Sequence, residues 1–416
     1  MSNNSPTAHE RPAIAERFVA RQPIFDKRLK VFGYELLFRS GPENIFRPHE
    51  SAAGSVIADS LTLFDLQALV GHTRAFVNVD EKSLLGDSLR LLPKDHVVIE
   101  LLESITPSQQ VAEACLALVA DGYTLALDDF LDYPKWQPLL GAAEFLKVDF
   151  RASDEETRAA VAQKYLAQGK QLLAEKVETE QELKSARNMG YAFFQGYFFC
   201  RPTMVSAKEI PGQKLSCVQL LQAIASPELN LSVVETIFGQ DPSLTYRLLR
   251  YLNSPLKGFR SEVKNIRHAI SLLGEVEFRR WVAIVAVVSL SGSKPSELVR
   301  TALTRAYFCE EIAERSGLAG KSGDLFLMGL LSVADALLDQ PMELAIANLP
   351  VTGEIRGALT GGANSFRDIY ETLLAYEHAN WDAMSKAAIR VGKIEEQIPQ
   401  CYLSATNRAG SVTASS

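Results

Sequence analysis

The chain has 416 residues, of which 47% are hydrophobic and 22% charged, and its formal net charge is −7. This length predicts two or three domains with room for large cores, and the acidic balance speaks against a general nucleic-acid grip, which needs a basic face. Five scattered cysteines without a C-x-x-C pair argue against a disulfide framework or a zinc knuckle and favour reduced thiols.

The two ends and the longest apolar run bear on the cell compartment. The first residues lack the apolar core of a signal peptide. The run at 281–290 is far shorter than the roughly 20 residues that a membrane-spanning helix needs. We therefore predict a cytoplasmic protein without a membrane segment, with a flexible leader (1–16) and a flexible tail (403–416).

Strand-like runs alternate with helix-like stretches between residues 17 and 204. The strand-like runs are 17–21, 31–39, 75–79, 96–103, 124–130, 144–150, 170–177 and 191–199. Helix-like stretches such as 51–70, 107–122 and 178–190 separate most of them. Such alternation favours a parallel sheet with helices outside, and the number of repeats predicts a (β/α)8-type barrel. An open doubly wound sheet is the alternative, without a glycine-rich nucleotide-binding loop to support it.

Most of these runs carry a carboxylate, an amide or a lysine near their carboxyl end. The residues are Glu35, Asn78, Glu100, Asp128, Asp129, Lys147, Glu175 and Gln195. In a barrel the carboxyl ends of the strands form one rim, which is where active sites lie. Each residue alone is compatible with a salt bridge or a solvated acid, but the ordered series predicts a site.

The oxygen donors in this series suit a hard divalent cation, because no histidine or thiolate accompanies them. Crowded carboxylates repel one another unless cations lie between them. Two ions roughly 3.5–4 Å apart are the usual arrangement for phosphodiester hydrolysis. Glu175 is then a candidate base for the attacking water, Lys147 could hold that water, and Arg39 suits a bidentate phosphate contact.

The motif GYELLFR (33–39) resembles the E-A-L-x-R signature of the EAL domain, a barrel that hydrolyses the bacterial second messenger cyclic di-GMP to the linear dinucleotide pGpG. Further matches follow in order along the chain. They are RQPIFD (21–26), FVNV (76–79), IELLE (99–103), LDDF (127–130), LKVDF (146–150), AEKVET (174–179) and FQGYFFCRP (194–202).

The resemblance implies a role for each matching residue. It implies that Glu35, Asn78, Glu100 and Asp128 hold a first Mg²⁺ or Mn²⁺ ion and that Asp129 shares a second. Glu175 would be the general base, Lys147 would lie at the water, and Glu103 would brace the loop after the fourth strand. Gln22, Glu178 and Gln195 would join Arg39 as contacts to cyclic di-GMP.

Three positions depart from the EAL pattern. Leu36 replaces an alanine, DDFLDYPKW (128–136) replaces D-D-F-G-T-G, and Lys176 replaces a glycine. Glycine permits positive φ, which residues 131–133 cannot adopt at the same cost. An inactive barrel that senses cyclic di-GMP or acts through protein contacts is therefore the alternative to a phosphodiesterase. A third reading is an unrelated metal-dependent barrel enzyme acting on a small carboxylate.

Residues 205–402 show apolar spacing typical of helices throughout. This half resembles the HDOD domain through YLNSP (251–255), HAISLLG (268–274) and GLLSVADALLDQPM (329–342). Related HD hydrolases need a His-Asp pair, where this chain has Ser332–Val333, so we expect no second hydrolase. His268 is expected to be a helix residue, and residues 279–281 either an interaction surface or a solvated helix face.

An EAL domain followed by an HDOD domain is a bacterial signalling architecture. The resemblance implies an unidentified signalling protein as a partner of the HDOD domain, a homodimer, and control of motility or biofilm formation.

Overall fold

The computed structural model describes residues 17–40, 66–200, 212–226, 228–240, 266–292, 294–347, 349–392 and 394–414. The predicted leader, most of the helix-like stretch 51–70 and the motif at 251–255 lie outside these ranges. Within them, no helix combines the length and the apolar character that crossing a bilayer requires.

Eight strands close into a barrel in sequence order. They are β1 (Arg17–Asp26), β2 (Val31–Ser40), β3 (Arg74–Val79), β4 (Val97–Leu101), β5 (Thr124–Leu127), β6 (Phe145–Asp149), β7 (Gln171–Glu175) and β8 (Phe193–Gln195). The predicted closed barrel is confirmed. Strands β2 to β8 run parallel, as expected.

The expectation of a parallel sheet is wrong for β1, which runs antiparallel to both β2 and β8. The reason is the short connection after Asp26, because a parallel neighbour needs a crossover of roughly a dozen residues or more. Asp26 Oδ1 accepts the N–H groups of Arg28 and Lys30 at 2.8 and 2.9 Å. Leu29 takes a φ of +56°. These contacts close a hairpin.

Helices follow several of the strands on the outside of the barrel. They are α1 (Leu66–Val70), α2 (Glu81–Leu84), α3 (Gln109–Ala120), α4 (Gln137–Leu140), α5 (Glu155–Leu166) and α6 (Glu180–Met189). Thr179 and Glu182 form a capping box at the start of α6, and Gly190 ends that helix with a φ of +99°.

The floor of the barrel interior is apolar and aromatic. A separate buried cluster fills it, consisting of Ile24, Phe76, Val98, Ala126, Phe145 and Leu173, with Phe32 and Phe193 against it. Side chains two positions apart on a strand point to the same face. On the parallel strands β3 to β8, the next inward-facing residue after each member of this cluster therefore lies one step nearer the carboxyl rim, above this aromatic floor.

The second half is helical in its described part, as predicted. Its helices are α7 (Gly212–Ala225), α8 (Leu231–Gln240), α9 (Ile266–Leu273), α10 (Glu275–Ser291), α11 (Ser296–Arg315), α12 (Ser322–Leu331), α13 (Ala334–Leu338), α14 (Met342–Ala345), α15 (Gly353–Leu359), α16 (Ser365–Glu377), α17 (Trp381–Val391) and α18 (Ile398–Ala414). The helical pattern at 324–338 is split at Ser332–Val333 into α12 and α13.

The prediction of a flexible tail from residue 403 is wrong for residues 403–414, which continue α18. Cys401, Ala405 and Ala409 are buried. Their spacing of four residues places them on one face of the helix, and α18 packs against α11. The tail is therefore part of the helical core up to residue 414.

The outer face of the β1–β2 hairpin packs against the helical half. The Tyr376 hydroxyl donates to the backbone oxygen of Val19 at 2.9 Å, and the Tyr34 hydroxyl donates to Glu297 Oε2 at 2.8 Å. Further along, the Tyr197 hydroxyl donates to the backbone oxygen of Glu377 at 2.9 Å. The hairpin is thus shared between the barrel wall and the contact with the helices.

Candidate active site

The alternation of side chains brings the predicted polar residues together at the rim. Asn78, Glu100, Asp128, Lys147, Glu175 and Gln195 each lie two positions after Phe76, Val98, Ala126, Phe145, Leu173 and Phe193, the residues of the apolar floor and its neighbours. Glu35 pairs with Gln22 across the hairpin and faces the same interior. A ring of polar groups therefore covers an apolar plug.

The Lys147 ammonium lies at the centre of four carboxylates. Its Nζ is 2.8 Å from Asp128 Oδ1, 2.9 Å from Glu100 Oε1, 2.9 Å from Glu175 Oε1 and 3.6 Å from Glu35 Oε2. Lys147 and Glu100 have no exposed surface. We call these five residues, Glu35, Glu100, Asp128, Lys147 and Glu175, the inner cluster. Because it has one basic and four acidic side chains, the inner cluster has more acidic than basic groups.

Burial and the neighbouring negative charges favour the neutral form of two acids in the inner cluster, Glu100 and Glu175. Burial raises the pKa of Glu100 well above its usual range, against the opposing charge of Lys147. Burial likewise raises the pKa of Glu175 to about 8, with Asp128 and Glu35 adding to the shift and Lys147 opposing it. Burial disfavours the charge of Lys147, but the surrounding carboxylates outweigh it and hold the Lys147 pKa well above normal. A bound cation would stabilise the ionised form of these acids.

Amide side chains hold Glu35 in place. Asn78 Nδ2 donates to Glu35 Oε1 at 2.8 Å, and Gln195 Nε2 donates to Glu35 Oε2 at 2.6 Å and to Gln22 Oε1 at 3.0 Å. Gly196, directly after Gln195, lets the chain pass close to the end of β7, because a Cβ there would lie 2.0 Å from the backbone oxygen of Val177. The hydrogen bonds from the two amide nitrogens turn both amide oxygens away from Glu35.

Three buried acceptors of this ring find no hydrogen-bond donor in the described part of the chain. They are Asn78 Oδ1, Gln195 Oε1 and Glu100 Oε2. Buried polar atoms rarely remain without a partner. All three of these atoms are oxygens, the ligand atoms that hard divalent cations prefer. The residues present therefore fit a divalent cation.

A second group of acids lies further out on the rim. Carboxylate oxygens of Glu103, Asp128 and Asp129 all lie within 4.8 Å of one another, and we call these three residues the outer cluster. Asp129 takes a φ of +43°. Burial and the charge of Asp128 raise the pKa of Asp129, and Lys176 opposes the shift. Asp128 belongs to both clusters, as a ligand shared between two ions would.

The loop that departs from the EAL pattern is ordered by its own contacts. Positive φ within 128–136 is confined to Asp129, so the residues at 131–133 do not adopt a glycine-like backbone. Asp132 accepts hydrogen bonds from the Tyr165 hydroxyl and from Lys164 Nζ. Trp136 is buried beside Phe130. After Asp129 the loop is therefore held by its own contacts, without a further residue at positive φ.

The predicted substrate contacts are only partly brought to the rim. Gln22 and Gln195 lie beside Glu35, whereas Glu178 forms an ion pair with Arg151. Arg39 lies on β2 four residues after Glu35, and its side chain is outside the described part of the structure.

Sequence reasoning missed Asp149, which lies on β6 two positions after Lys147. Its Oδ1 accepts the N–H groups of Arg151 and Ala152 at 2.6 and 3.1 Å, and Oδ2 accepts a hydrogen bond from Lys176 Nζ. The register pairs Asp149 with Glu175 across the sheet. The signal was present in LKVDF, where a second charged residue follows Lys147 at the spacing of one strand face.

The helical half has a buried ion pair that contacts Ser332, the first of the two residues found in place of a His-Asp pair. Arg305 Nη2 is 2.7 Å from Glu377 Oε2, and its Nη1 donates to Ser332 Oγ at 3.3 Å. Gly329 lets α12 pack closely against α11, because a Cβ at this position would lie 2.5 Å from the backbone oxygen of Arg305. We call the ion pair of Arg305 and Glu377, together with its hydrogen-bond partner Ser332, the helical pair. The sequence analysis did not predict it.

Residues 279–281 do not form a freely solvated helix face. Arg279 Nη1 donates to the backbone oxygen of Ser226 at 2.6 Å, Arg280 forms ion pairs with Glu277 and Glu310, and Trp281 is buried. His378 packs against the ring of Tyr197, with centroids 4.1 Å apart. These contacts are structural.

Comparison with known proteins agrees with this architecture. A model of the EAL domain matches residues 13–202, and a model of the HDOD domain matches residues 210–339. The cyclic di-GMP phosphodiesterase CdgJ of Vibrio cholerae is 32% identical over 388 residues, which cover 92% of this chain and 90% of that protein. The uncharacterized protein YuxH of Bacillus subtilis is 32% identical over 398 residues, which cover 93% of this chain and 97% of that protein.

Among solved structures, the calcium and cyclic di-GMP complex of BlrP1 from Klebsiella pneumoniae aligns at 26% identity with a TM-score of 0.39. That alignment covers 47% of this chain and 58% of the other. The boundaries predicted at residues 204 and 402 stay predictions. With two domain models in order and two relatives matched over most of their length, the chain belongs to the family of proteins in which an EAL domain precedes an HDOD domain.

Proposed function

We propose that the barrel binds cyclic di-GMP at its carboxyl rim and hydrolyses it to pGpG with the help of Mg²⁺ or Mn²⁺. The observation that carries this proposal is the inner cluster, in which four carboxylates surround one buried ammonium while neighbouring oxygens lack donors. A structural salt bridge needs no such excess of acid. The name of the Vibrio cholerae relative supports cyclic di-GMP as the substrate.

The oxygen donors of the rim would hold the cations. Glu35, Asn78, Glu100 and Asp128 would bind the first ion, and Asp129 and Glu103 would share a second with Asp128. Bound divalent ions would supply electrostatic stabilisation of the charge that develops on the phosphodiester. Asn78 is suited to this role because its amide N–H is already committed to Glu35, which leaves its oxygen for a cation.

Glu175 would be the general base. A base works best when its pKa lies near the operating pH, and burial raises the pKa of Glu175 to about 8. Glu175 would take one proton from the attacking water as its oxygen bonds to phosphorus, and the bond from phosphorus to the ribose oxygen would break, that oxygen taking a proton from solvent water. Lys147, at 2.9 Å from Glu175 Oε1, would orient that carboxylate and the water.

The polar groups beside Glu35 would contact the nucleotide. Gln195 Oε1 lacks a donor, and Gln22 shares a hydrogen bond with Gln195. Amide groups of this kind can recognise a guanine edge. We also propose that Arg39 contacts a phosphate of cyclic di-GMP and that Glu178 contacts the same substrate. The binding experiment described below can test both contacts. The helical half would connect this site to a partner protein or to a second copy of the chain.

A second candidate function is sensing of cyclic di-GMP without turnover. It is favoured by Lys176, which adds a positive charge beside Asp149 and the outer cluster, and by the rebuilt loop at 131–136. In this case the same rim would bind the dinucleotide, and the helical half would transmit its presence.

Calorimetry followed by product analysis separates these functions. Cyclic di-GMP is titrated into the protein with Ca²⁺, and the sample is then exchanged into Mg²⁺ or Mn²⁺ and analysed by chromatography. We expect binding in Ca²⁺, formation of pGpG after exchange, and loss of that product in Glu35→Ala. If binding occurs and no pGpG forms while an active EAL enzyme works in parallel, hydrolysis is rejected and sensing remains.

A further inference from the structure

Lys176 occupies a backbone position that favours glycine. Its φ is +54°, in the left-handed region where a Cβ is disfavoured, and the EAL motif has glycine at this place. The residue directly follows Glu175 at the end of β7. Residues held in such a conformation often serve a function, and the contacts of the Lys176 side chain indicate one.

The Lys176 side chain is anchored on Asp149. Its Nζ donates to Asp149 Oδ2, and Asp149 is buried while Lys176 is about half exposed. Burial opposes ionisation of Asp149, but the Lys176 hydrogen bond and two backbone N–H groups outweigh it and hold the pKa of Asp149 below normal. Asp149 therefore remains an anion that fixes the ammonium at the rim.

The Lys176 charge also acts on the outer cluster. The ends of β5, β6 and β7 lie side by side here: the Phe130 N–H, directly after Asp129, donates to the Lys147 backbone oxygen at 2.7 Å, and the Phe150 N–H, directly after Asp149, donates to the Glu175 backbone oxygen at 3.1 Å. Neighbouring strands are about 4.8 Å apart, so the Lys176 ammonium, which reaches across to Asp149 on β6, lies close to Asp129 of the outer cluster. The first ion site differs, because Lys147 is the cation in contact with all four carboxylates there.

We propose that Lys176 is a resident cation that weakens binding of a second divalent ion at the outer cluster. A fixed positive charge partly neutralises the same acids and repels an incoming divalent cation. The second ion therefore binds more weakly than it would without the Lys176 charge. This inference rests on the proposed function for the metal-binding rim, and it concerns the affinity of one ion rather than the chemistry.

The test is a Mn²⁺ titration of the metal-free, full-length protein without nucleotide, followed by calorimetry and by the electron paramagnetic resonance signal of free Mn²⁺. Lys176→Met removes the charge and keeps a side chain at positive φ, whereas Lys176→Gly also relieves the backbone. Lys184→Met is the matched control, because Lys184 forms an exposed pair with Glu180 on α6 at 2.8 Å.

We expect the affinity of the first Mn²⁺ site to be the same in every variant, and a second site about 10-fold tighter in both Lys176 variants than in the wild type or Lys184→Met. An unchanged second site in Lys176→Met overturns the inference, as does tightening in Lys176→Gly alone, which would assign the effect to the backbone. Absence of any Mn²⁺ binding in all variants would overturn the proposed metal site itself, and the inference with it.

Discussion

The barrel and the helical half each contain a buried ion cluster, and the two differ in their charge balance. In the inner cluster of the barrel, Lys147 faces four carboxylates and nearby oxygens lack donors. In the helical pair, Arg305 forms an ion pair with one carboxylate of the described residues, Glu377, through three nitrogen–oxygen contacts between 2.7 and 3.1 Å, and it donates a further hydrogen bond to Ser332.

This difference separates a binding site from a structural contact. A balanced and hydrogen-bonded buried pair costs desolvation energy but needs no further partner. An unbalanced cluster is stable only if protons or cations compensate it. Function is therefore expected at the barrel rim, while the helical pair is expected to fix how α11, α12 and α16 pack.

The largest expected effect is on chemistry at the barrel. Glu175→Gln removes the proposed base and should reduce hydrolysis of cyclic di-GMP by about 10²–10⁴-fold, with the thermal midpoint and nucleotide binding in Ca²⁺ preserved. The measurement is the initial rate of pGpG formation. Glu180→Gln, at an exposed glutamate of α6, serves as the control. Full activity in Glu175→Gln would remove Glu175 from the mechanism.

The next effect is on the stability of the helical half. Arg305→Met leaves the Glu377 carboxylate buried without a cation, which should lower the free energy of unfolding by about 3–5 kcal/mol. Urea denaturation followed by tryptophan fluorescence measures it. The double variant Arg305→Met/Glu377→Leu should recover most of the loss, since no buried charge remains. A small effect of the single variant would show that Arg305 is not needed to compensate the buried charge of Glu377.

A third prediction concerns the pH dependence of the metal-free barrel. Burial raises the pKa of Glu175 from 4.5 to about 8, so the native state binds more protons than the unfolded state between these values. The contribution of Glu175 to stability is complete below pH 4.5 and is lost as the pH rises through 8. In EDTA, the melting temperature should fall between pH 5.5 and 8.5 by roughly 5 °C more than in Glu175→Gln.

Addition of a divalent ion should reverse this trend, because the ion replaces protons on the same acids. Thermal unfolding at both pH values, with and without Mn²⁺, measures the effect. Equal pH profiles for the wild type and Glu175→Gln without metal would show that Glu175 is ionised in both states.

The smallest effect is expected at the contact between the two halves. Tyr34→Phe removes the hydroxyl that donates to Glu297, and leaving that buried acceptor without its donor should cost about 1 kcal/mol. Thermal unfolding of the full-length protein measures the change. Tyr133→Phe is the control, because Tyr133 is exposed. Equal effects of the two substitutions would exclude a specific contribution of the Tyr34 contact.

Much of the barrel and its rim could be predicted because the information is local. Hydrophobic runs of strand length mark β2 to β8, and their carboxyl ends carry the polar residues that the parallel arrangement gathers on one side. The direction of β1 could be missed because a hairpin depends on the connection at 27–30 rather than on the strand itself. The tail helix was missed because Ala405 and Ala409 are small residues whose burial depends on α11.

The order of residues alone establishes which chemical groups lie near the strand ends, since strand period and residue type are local properties. How the charges of these groups balance depends on the three-dimensional fold. The fold placed Lys147 within reach of four acids that lie on or directly after four other strands, anchored Lys176 on Asp149, and paired Arg305 with Glu377, 72 positions apart. Electrostatic energy depends on distance and burial in three dimensions, and neither quantity can be read from the order of residues.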